Sequence, residues 1–261
     1  MTLSLYVPAN TPIHRLHPVV KLVAMLGLFT VVFITDRPAL LWPLLGGTLA
    51  AAVWARALPS MWRLRVLFAL VFLMTFAVWS VFFRGGEPLV AWGPLQVSGE
   101  GLQFAFGMGL KLVGFLALGV LFLSTTKVEE FAYALTRLGV PFKLGFTITL
   151  AFRLVPAFLD ATMTVVQAQR CRGFNFDEGN VVQRIRHYVP VIVPVFIGAL
   201  RRADGMAMAL EARGFQSGHR RTVLEEFRYG AGDAVGLAVV GAVIGLYVGL
   251  WRLGYTALIA V

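Results

Sequence analysis

The sequence predicts an all-α polytopic membrane protein: about five transmembrane helices, with a cytoplasmic insert of two or three long helices before the last span. Three observations predict it. Of 261 residues, 58% are hydrophobic and 14% charged, whereas an ordinary soluble domain carries about a quarter charged residues. Uncharged runs approaching the roughly 20 residues needed to cross a bilayer recur along the chain. Basic residues gather in alternate connections between those runs. A globule this apolar, with a mean hydropathy of +0.78, would leave too little polar side chain for its surface. The same composition excludes disorder, collagen, coiled coil and a disulfide-stapled scaffold. The single Cys171 permits no intrachain disulfide and no multi-cysteine metal site.

The first run, Leu22–Thr35, reaches spanning length when extended back to Pro18. Asp36-Arg37-Pro38 follows it and leads straight into a second run, so it reads as an uncleaved first helix and not as a signal peptide. The others are Ala39–Ala55, Val66–Phe83, Gly101–Thr126 (interrupted by Lys111) and Ala234–Trp251. Net charge is +10. In a membrane protein such an excess points to cytoplasmic loops and anionic headgroups, not to nucleic acid. With the N-terminus inside, 19 of the 23 basic residues fall in cytoplasmic segments. They are Arg15, Lys21, Arg56, Arg63, Arg65 and the 14 between Lys127 and Asp233. The chain therefore divides into a membrane bundle (1–126), a cytoplasmic insert (127–233) and a last span (234–261) whose C-terminus lies outside. The apolar tail Leu253–Val261 has no assignment.

Within the insert, Thr125-Thr126-Lys127 offers a Thr N-cap and Glu129 an acidic first turn for a helix Val128–Leu138, which Gly139 and Pro141 stop. A second helix runs from Phe142 to Arg172 and a third from about Val181 to Arg213. Pro156 predicts a bend in the second; Pro190 and Pro194 predict a kinked or broken first half of the third. Leu144–Val166 is apolar enough to span but carries Arg153, Pro156 and Asp160, and Tyr188–Leu200 is too short. Both read as helices buried against protein or lying at the interface. The two long helices end alike. Gln169-Arg170-Cys171-Arg172-Gly173-Phe174 and Leu210-Glu211-Ala212-Arg213-Gly214-Phe215 each give a small residue, Arg, Gly and Phe, 41 positions apart. One Arg-Gly at a helix end is ordinary capping. Two copies with matching flanks suggest rigid forks of donors projected into a partner.

These residues resemble the transmembrane (T) component of energy-coupling-factor transporters, the EcfT/CbiQ family of bacterial and archaeal importers of vitamins and transition-metal ions. The likeness covers most of the chain. It is carried by Tyr6–Leu22, by Lys111 through Glu129, by Ala151–Pro156 with Gln167–Gly173, and by Leu200–Asp204 with Glu211–Phe215. The resemblance implies that Cys171, Arg172 and Gly173, and Ala212, Arg213 and Gly214, end coupling helices that dock into two ABC-type ATPase subunits. It also implies a separate substrate-binding (S) membrane subunit, no cofactor, and residence in a bacterial or archaeal cell membrane. Cys171 departs from the family's usual Ala, a small substitution in size and polarity.

Other candidates weigh less. Lys111 in mid-span is either functional or a stem that snorkels or pairs within the bundle. Arg153 and Asp160 share a helix face and read as structural polar contacts. His14 and His17 lack the carboxylate or thiolate company of a metal site. Gly241, Gly245 and Gly249, with Gly236 before them, form a close-packing face, expected to be used within the chain or by an S subunit. No phosphate-binding loop, zinc-protease motif or nucleophile elbow occurs, so the chain is read as non-catalytic. The alternatives are an ordinary ABC permease that recognises its own substrate and a lipid-processing membrane enzyme.

Overall fold

The computed structural model describes residues 6–9, 11–83, 88–92, 95–176, 180, 187–215, 229–253 and 255. Its elements are α1 (Pro18–Ile34), α2 (Pro38–Trp54), α3 (Leu58–Arg63), α4 (Arg65–Phe82), β1 (Pro88–Trp92), β2 (Leu95–Ser98) and α5 (Gly99–Thr125). There follow α6 (Val128–Arg137), α7 (Phe142–Cys171), α8 (Val189–Ala212) and α9 (Ala231–Arg252). The chain divides into two compact units, Met1–Val140 with Phe227–Val261, and Pro141–Glu226.

In the first unit α5 is the hub, packed against α1, α2, α3 and α4, while α9 packs on α1. Proline opens α1 and α2, where a missing N–H is harmless, and the His17 ring caps α1 by accepting the Val19 N–H at 3.2 Å. Ser98 caps α5 through the Gly101 N–H at 3.0 Å. Val31, Val32, Leu41, Leu45, Leu110 and Leu118 form the main core, closed by Tyr247, whose hydroxyl donates to the Leu40 carbonyl at 2.6 Å. A second cluster gathers Ala52, Ala55, Ala57 and Met61 from the α2–α3 turn against Ala117 and Val120 of α5. A Cβ at Gly107 would meet the Asp36 carbonyl oxygen at 2.8 Å, so only glycine lets the α1–α2 turn lie this close to α5. By contrast α4 is exposed along much of its length, Val66, Leu73 and Phe82 included, and reaches the core through Phe68 and Phe72.

The second unit is a helix pair, α7 on α8. By length and composition α4, α5, α7 and α9 suffice to cross a membrane, and α1 and α2 are apolar helices of 17 residues each. Hydropathy alone therefore does not separate α7 from the spans, despite Arg153, Pro156 and Asp160.

Several elements depart from the sequence reading. The turn after α2 holds the short α3, and an antiparallel hairpin, β1 with β2, precedes α5. Neither was expected, since both are too short to leave a periodic signal. The expected Thr cap on α6 is not made. The N-cap is Lys127, and the Thr125 hydroxyl donates back to the Leu121 carbonyl at 2.9 Å. Of the third insert helix, the described part runs from Val189, after a turn at Tyr188, with Pro190 in its first turn and Pro194 inside a continuous helix. The expected start near Val181 lies outside the described residues. Among the described residues Gly241, Gly245 and Gly249 have no packing neighbour that a Cβ would meet, whereas Gly236 approaches Leu16.

Candidate partner-coupling site

The two Arg-Gly ends are superposable in hydrogen bonding. At the end of α7, the Phe174 N–H donates to the Gln169 carbonyl and the Gly173 N–H to the Arg170 carbonyl, both at 3.0 Å. At the end of α8, the Phe215 N–H donates to Leu210 and the Gly214 N–H to Glu211, both at 2.9 Å. Each is a Schellman motif, with the arginine as the last near-helical residue and the glycine in the left-handed region, φ +82° and +72°. Around Gly173 a Cβ would meet nothing, so the backbone angle, not crowding, calls for glycine there. The helix α6 ends the same way at Leu138-Gly139, without an arginine at that position. Capping thus requires the glycines, whereas the arginines gain from the helix ends only a modest charge–dipole interaction.

Arg172 and Arg213 are exposed, and among the described residues neither guanidinium has an ion-pair or hydrogen-bond partner. Cys171 is a free, exposed thiol and Ala212 is exposed. The following phenylalanines fix where the motifs lie. Phe174 packs against His187 just before α8, with ring centroids 5.4 Å apart. Phe215 packs against Phe146 near the start of α7, at 4.6 Å. Each helix end is therefore pinned to the other helix's beginning. The arginines stand at opposite ends of an antiparallel pair, roughly 40 Å apart at 1.5 Å per residue. The structure does not bring the two motifs together; it holds them apart.

A second cluster, in the first unit, was not legible as a site. The Lys21 ammonium donates to Glu130 of α6 at 3.0 Å, to the Thr125 carbonyl at 3.1 Å and to the His14 carbonyl at 2.7 Å. Their side chains are 4% and 16% exposed. The Asp233 carboxylate accepts the His17 N–H at 2.6 Å and the Gly230 N–H at 2.8 Å. The His17 ring stacks on Tyr229 at 4.0 Å. His14 donates from Nε2 to the Val7 carbonyl and accepts the Thr11 hydroxyl at Nδ1, 2.7 Å away. Burial pushes its pKa below the ordinary histidine value, the Lys21 charge adding to this against the pull of the Val7 carbonyl and Glu130. The segment 6–17 thereby fastens α5, α6 and α9 at one end of the bundle. The only signals were a lysine inside an apolar run and a histidine pair, and both histidines are used structurally.

Lys111 pairs with Asp36 at 2.7 Å and lies over the Phe33 ring, so the pairing alternative holds. Arg153 and Asp160 are exposed, and among the described residues make none of the side-chain contacts expected of them. No group of three or more metal-ligating side chains occurs among the described residues.

Comparison with known proteins adds the context. The family model CbiQ, described as "Cobalt transport protein", matches residues 9–224. An "Energy-coupling factor transporter transmembrane protein EcfT" of Acidaminococcus fermentans is 34% identical over 245 residues, 90% of this chain and 91% of that one. Its namesake in Thermosediminibacter oceani is 32% identical over 264 residues, 95% of this chain and 98% of that one. A "Putative ABC transporter ATP-binding protein" of Bifidobacterium longum is 35% identical over 246 residues, 89% of this chain but only 31% of its own length.

Proposed function

We propose a mechanism from one premise: this chain belongs to the CbiQ family, described as cobalt transport proteins. It is a multi-pass membrane component of the energy-coupling-factor type and is not itself the catalyst of ATP hydrolysis. In the mechanism, Arg172-Gly173 and Arg213-Gly214 each dock into one of two ABC-type ATPase subunits, with Cys171 and Ala212 as the small residues beside them. The helix pair α7–α8 then works as a lever. Approach or separation of two ATPases moves its ends, and the pair passes that movement to a separate substrate-binding membrane subunit that carries a vitamin or a transition-metal ion. The single observation that supports this is the pair of identical caps bearing unpartnered arginines at opposite ends of one antiparallel helix pair. A relative whose larger remainder lies in a protein named for ATP binding agrees with an ATPase partner.

The test is Arg172→Glu/Arg213→Glu in the full complex. Each lost charged contact costs about 2–5 kcal/mol, so the variant is expected to reach the membrane, fold, and fail to retain the ATPases. Transport at the parental rate would reduce both motifs to helix caps. The proposed orientation, N-terminus cytoplasmic with 127–233 inside a bacterial or archaeal cell membrane, is tested separately. In a Cys171→Ala background, an impermeant maleimide on intact cells should label Val261→Cys and not Gly218→Cys.

A further inference from the structure

A fourth Schellman motif ends α2, and it breaks the rule of the other three. The Ala57 N–H donates to the Ala52 carbonyl at 2.9 Å and the Arg56 N–H to the Val53 carbonyl at 3.0 Å. The left-handed position, filled by glycine in α6, α7 and α8, is filled here by Arg56 at φ +54°. A side chain in that region is strained relative to glycine, and an observed strain of this kind is a reason to ask what the residue does. The turn that carries it is firmly seated: Ala55 and Ala57 are fully buried on either side, and Ser60 and Met61 are buried after them. Arg56, Arg63 and Arg65 all project outward from this turn. Among the described residues none of the three forms an ion pair. Arg65 lies over the exposed Trp62 ring at 4.9 Å.

Immediately before the turn, one face of α2 carries a shallow, wide-open apolar depression of about 740 Å³ along Gly47, Ala50, Ala51, Val53 and Trp54. Among the described residues a Cβ at Gly47 would meet nothing, and none of them fills the depression. Trp54 and Trp62 are both exposed, as indoles at the headgroup level of a bilayer are.

We propose that this turn is a binding site for an anionic phospholipid. Arg56, Arg63 and Arg65 hold the phosphate, and one acyl chain lies along the depression of α2. The inference rests only on α2 crossing the membrane, not on ATPase docking. Charge complementarity selects the occupant. Guanidinium groups match phosphate as planar forks of donors, and an exposed apolar face that leads into a turn bearing three arginines, none in an ion pair among the described residues, fits an amphiphile with an anionic head. A neighbouring helix would have to bring acidic residues to the bilayer surface to do the same.

The experiment uses the full chain in nanodiscs and native mass spectrometry, with phosphatidylglycerol against phosphatidylcholine. The parent is expected to retain phosphatidylglycerol selectively. At about 1 kcal/mol per arginine near the surface, Arg56→Gln/Arg63→Gln/Arg65→Gln should lose on the order of a hundredfold in that preference. Arg56→Gly is the decisive variant. It removes the strain, so its melting temperature in lipid-free detergent should equal or exceed the parent's, while phosphatidylglycerol retention falls about fivefold. Gly47→Leu should reduce retention without touching any charge. Unchanged retention in the triple variant overturns the site, as does full retention in Arg56→Gly. A photocrosslinker on Ala50→Cys in the assembled complex, with Cys171→Ala, should yield a lipid adduct. A protein adduct there would assign the depression to a partner and also overturn the proposal.

Discussion

Two charged clusters, one in each unit, are handled in opposite ways. In the first, Lys21, Glu130 and Asp233 are buried or nearly so, and each makes a short contact to a charge or backbone group. In the second, Arg153, Asp160, Arg172 and Arg213 are exposed, and among the described residues none has a side-chain partner. Phe152, Met163, Ile192 and Phe196 stand exposed beside them. Around Lys21 and Asp233 the first unit completes its interactions within the chain, while its α2–α3 turn leaves Arg56, Arg63 and Arg65 exposed. The second presents charge and apolar surface that its own fold leaves unsatisfied, which is the state of a surface made for other molecules. The same kinds of residue thus have different consequences, and mutagenesis can measure the difference.

Breaking the first unit should have the largest effect. Glu130→Ala leaves the Lys21 ammonium buried with two carbonyls and no counter-charge. Removing one partner of a buried pair costs about 3–5 kcal/mol. A large drop in melting temperature in detergent, or loss of the folded protein, is expected. Asp160→Ala in the second unit is the matched control and should stay within about 0.5 kcal/mol of the parent. Equal effects would abolish the contrast. Asp233→Ala should come next, at about 1–3 kcal/mol, because it strands the His17 and Gly230 N–H groups. Asp233→Asn keeps an acceptor and should recover part of that loss.

Gly173→Ala sharpens the comparison on the other side. Space is open there, so the only cost is the left-handed backbone, about 1 kcal/mol. Retention of the ATPases should suffer less from it than from Arg172→Glu. The smallest effect is that of pH on His14. Its folded pKa lies below its unfolded value, so the unfolded chain binds the proton first as pH falls. Stability should be full above about pH 6.5 and decline as pH drops below that, towards the folded pKa. A pH series of melting temperatures should show the decline in the parent and a shallower one in His14→Gln.

How far the sequence could be read follows from the range of each interaction. The boundaries of α1, α2, α4, α5 and α9 were legible because hydropathy and length act within one segment. The paired ends of α7 and α8 were legible because a Schellman cap is written in six consecutive residues. What was not legible depends on residues far apart. Lys111 and Asp36 are 75 positions distant and Lys21 and Glu130 are 109, and no local pattern selects among the acids available. Periodicity showed that Gly241, Gly245 and Gly249 share a face but not that the face would be open among the described residues, because a period describes a helix and not its neighbour. The sequence reading treated the Arg-Gly ends as one feature. The Leu138-Gly139 cap of α6, whose Arg137 stands one residue earlier and bonds to Tyr133, shows that the glycine serves the cap without an arginine directly before it.

The three-way contact of the Lys21 ammonium has a consequence for synthesis. A ribosome adds about 5–20 residues per second, so Glu130 follows Lys21 by about 5–20 seconds, and Asp233, 216 positions after His17, arrives later still. During that interval the first helix is already apolar enough to leave the translocation channel, yet it carries a lysine whose counter-charge has not been made. The Lys21–Glu130 ion pair can therefore close only after α1 to α5 have been made and α6 has emerged. A truncation ending before Glu130 would hold the chain at that stage, and the insertion machinery and quality-control proteases would meet there a bundle whose first fastening has nothing to close on.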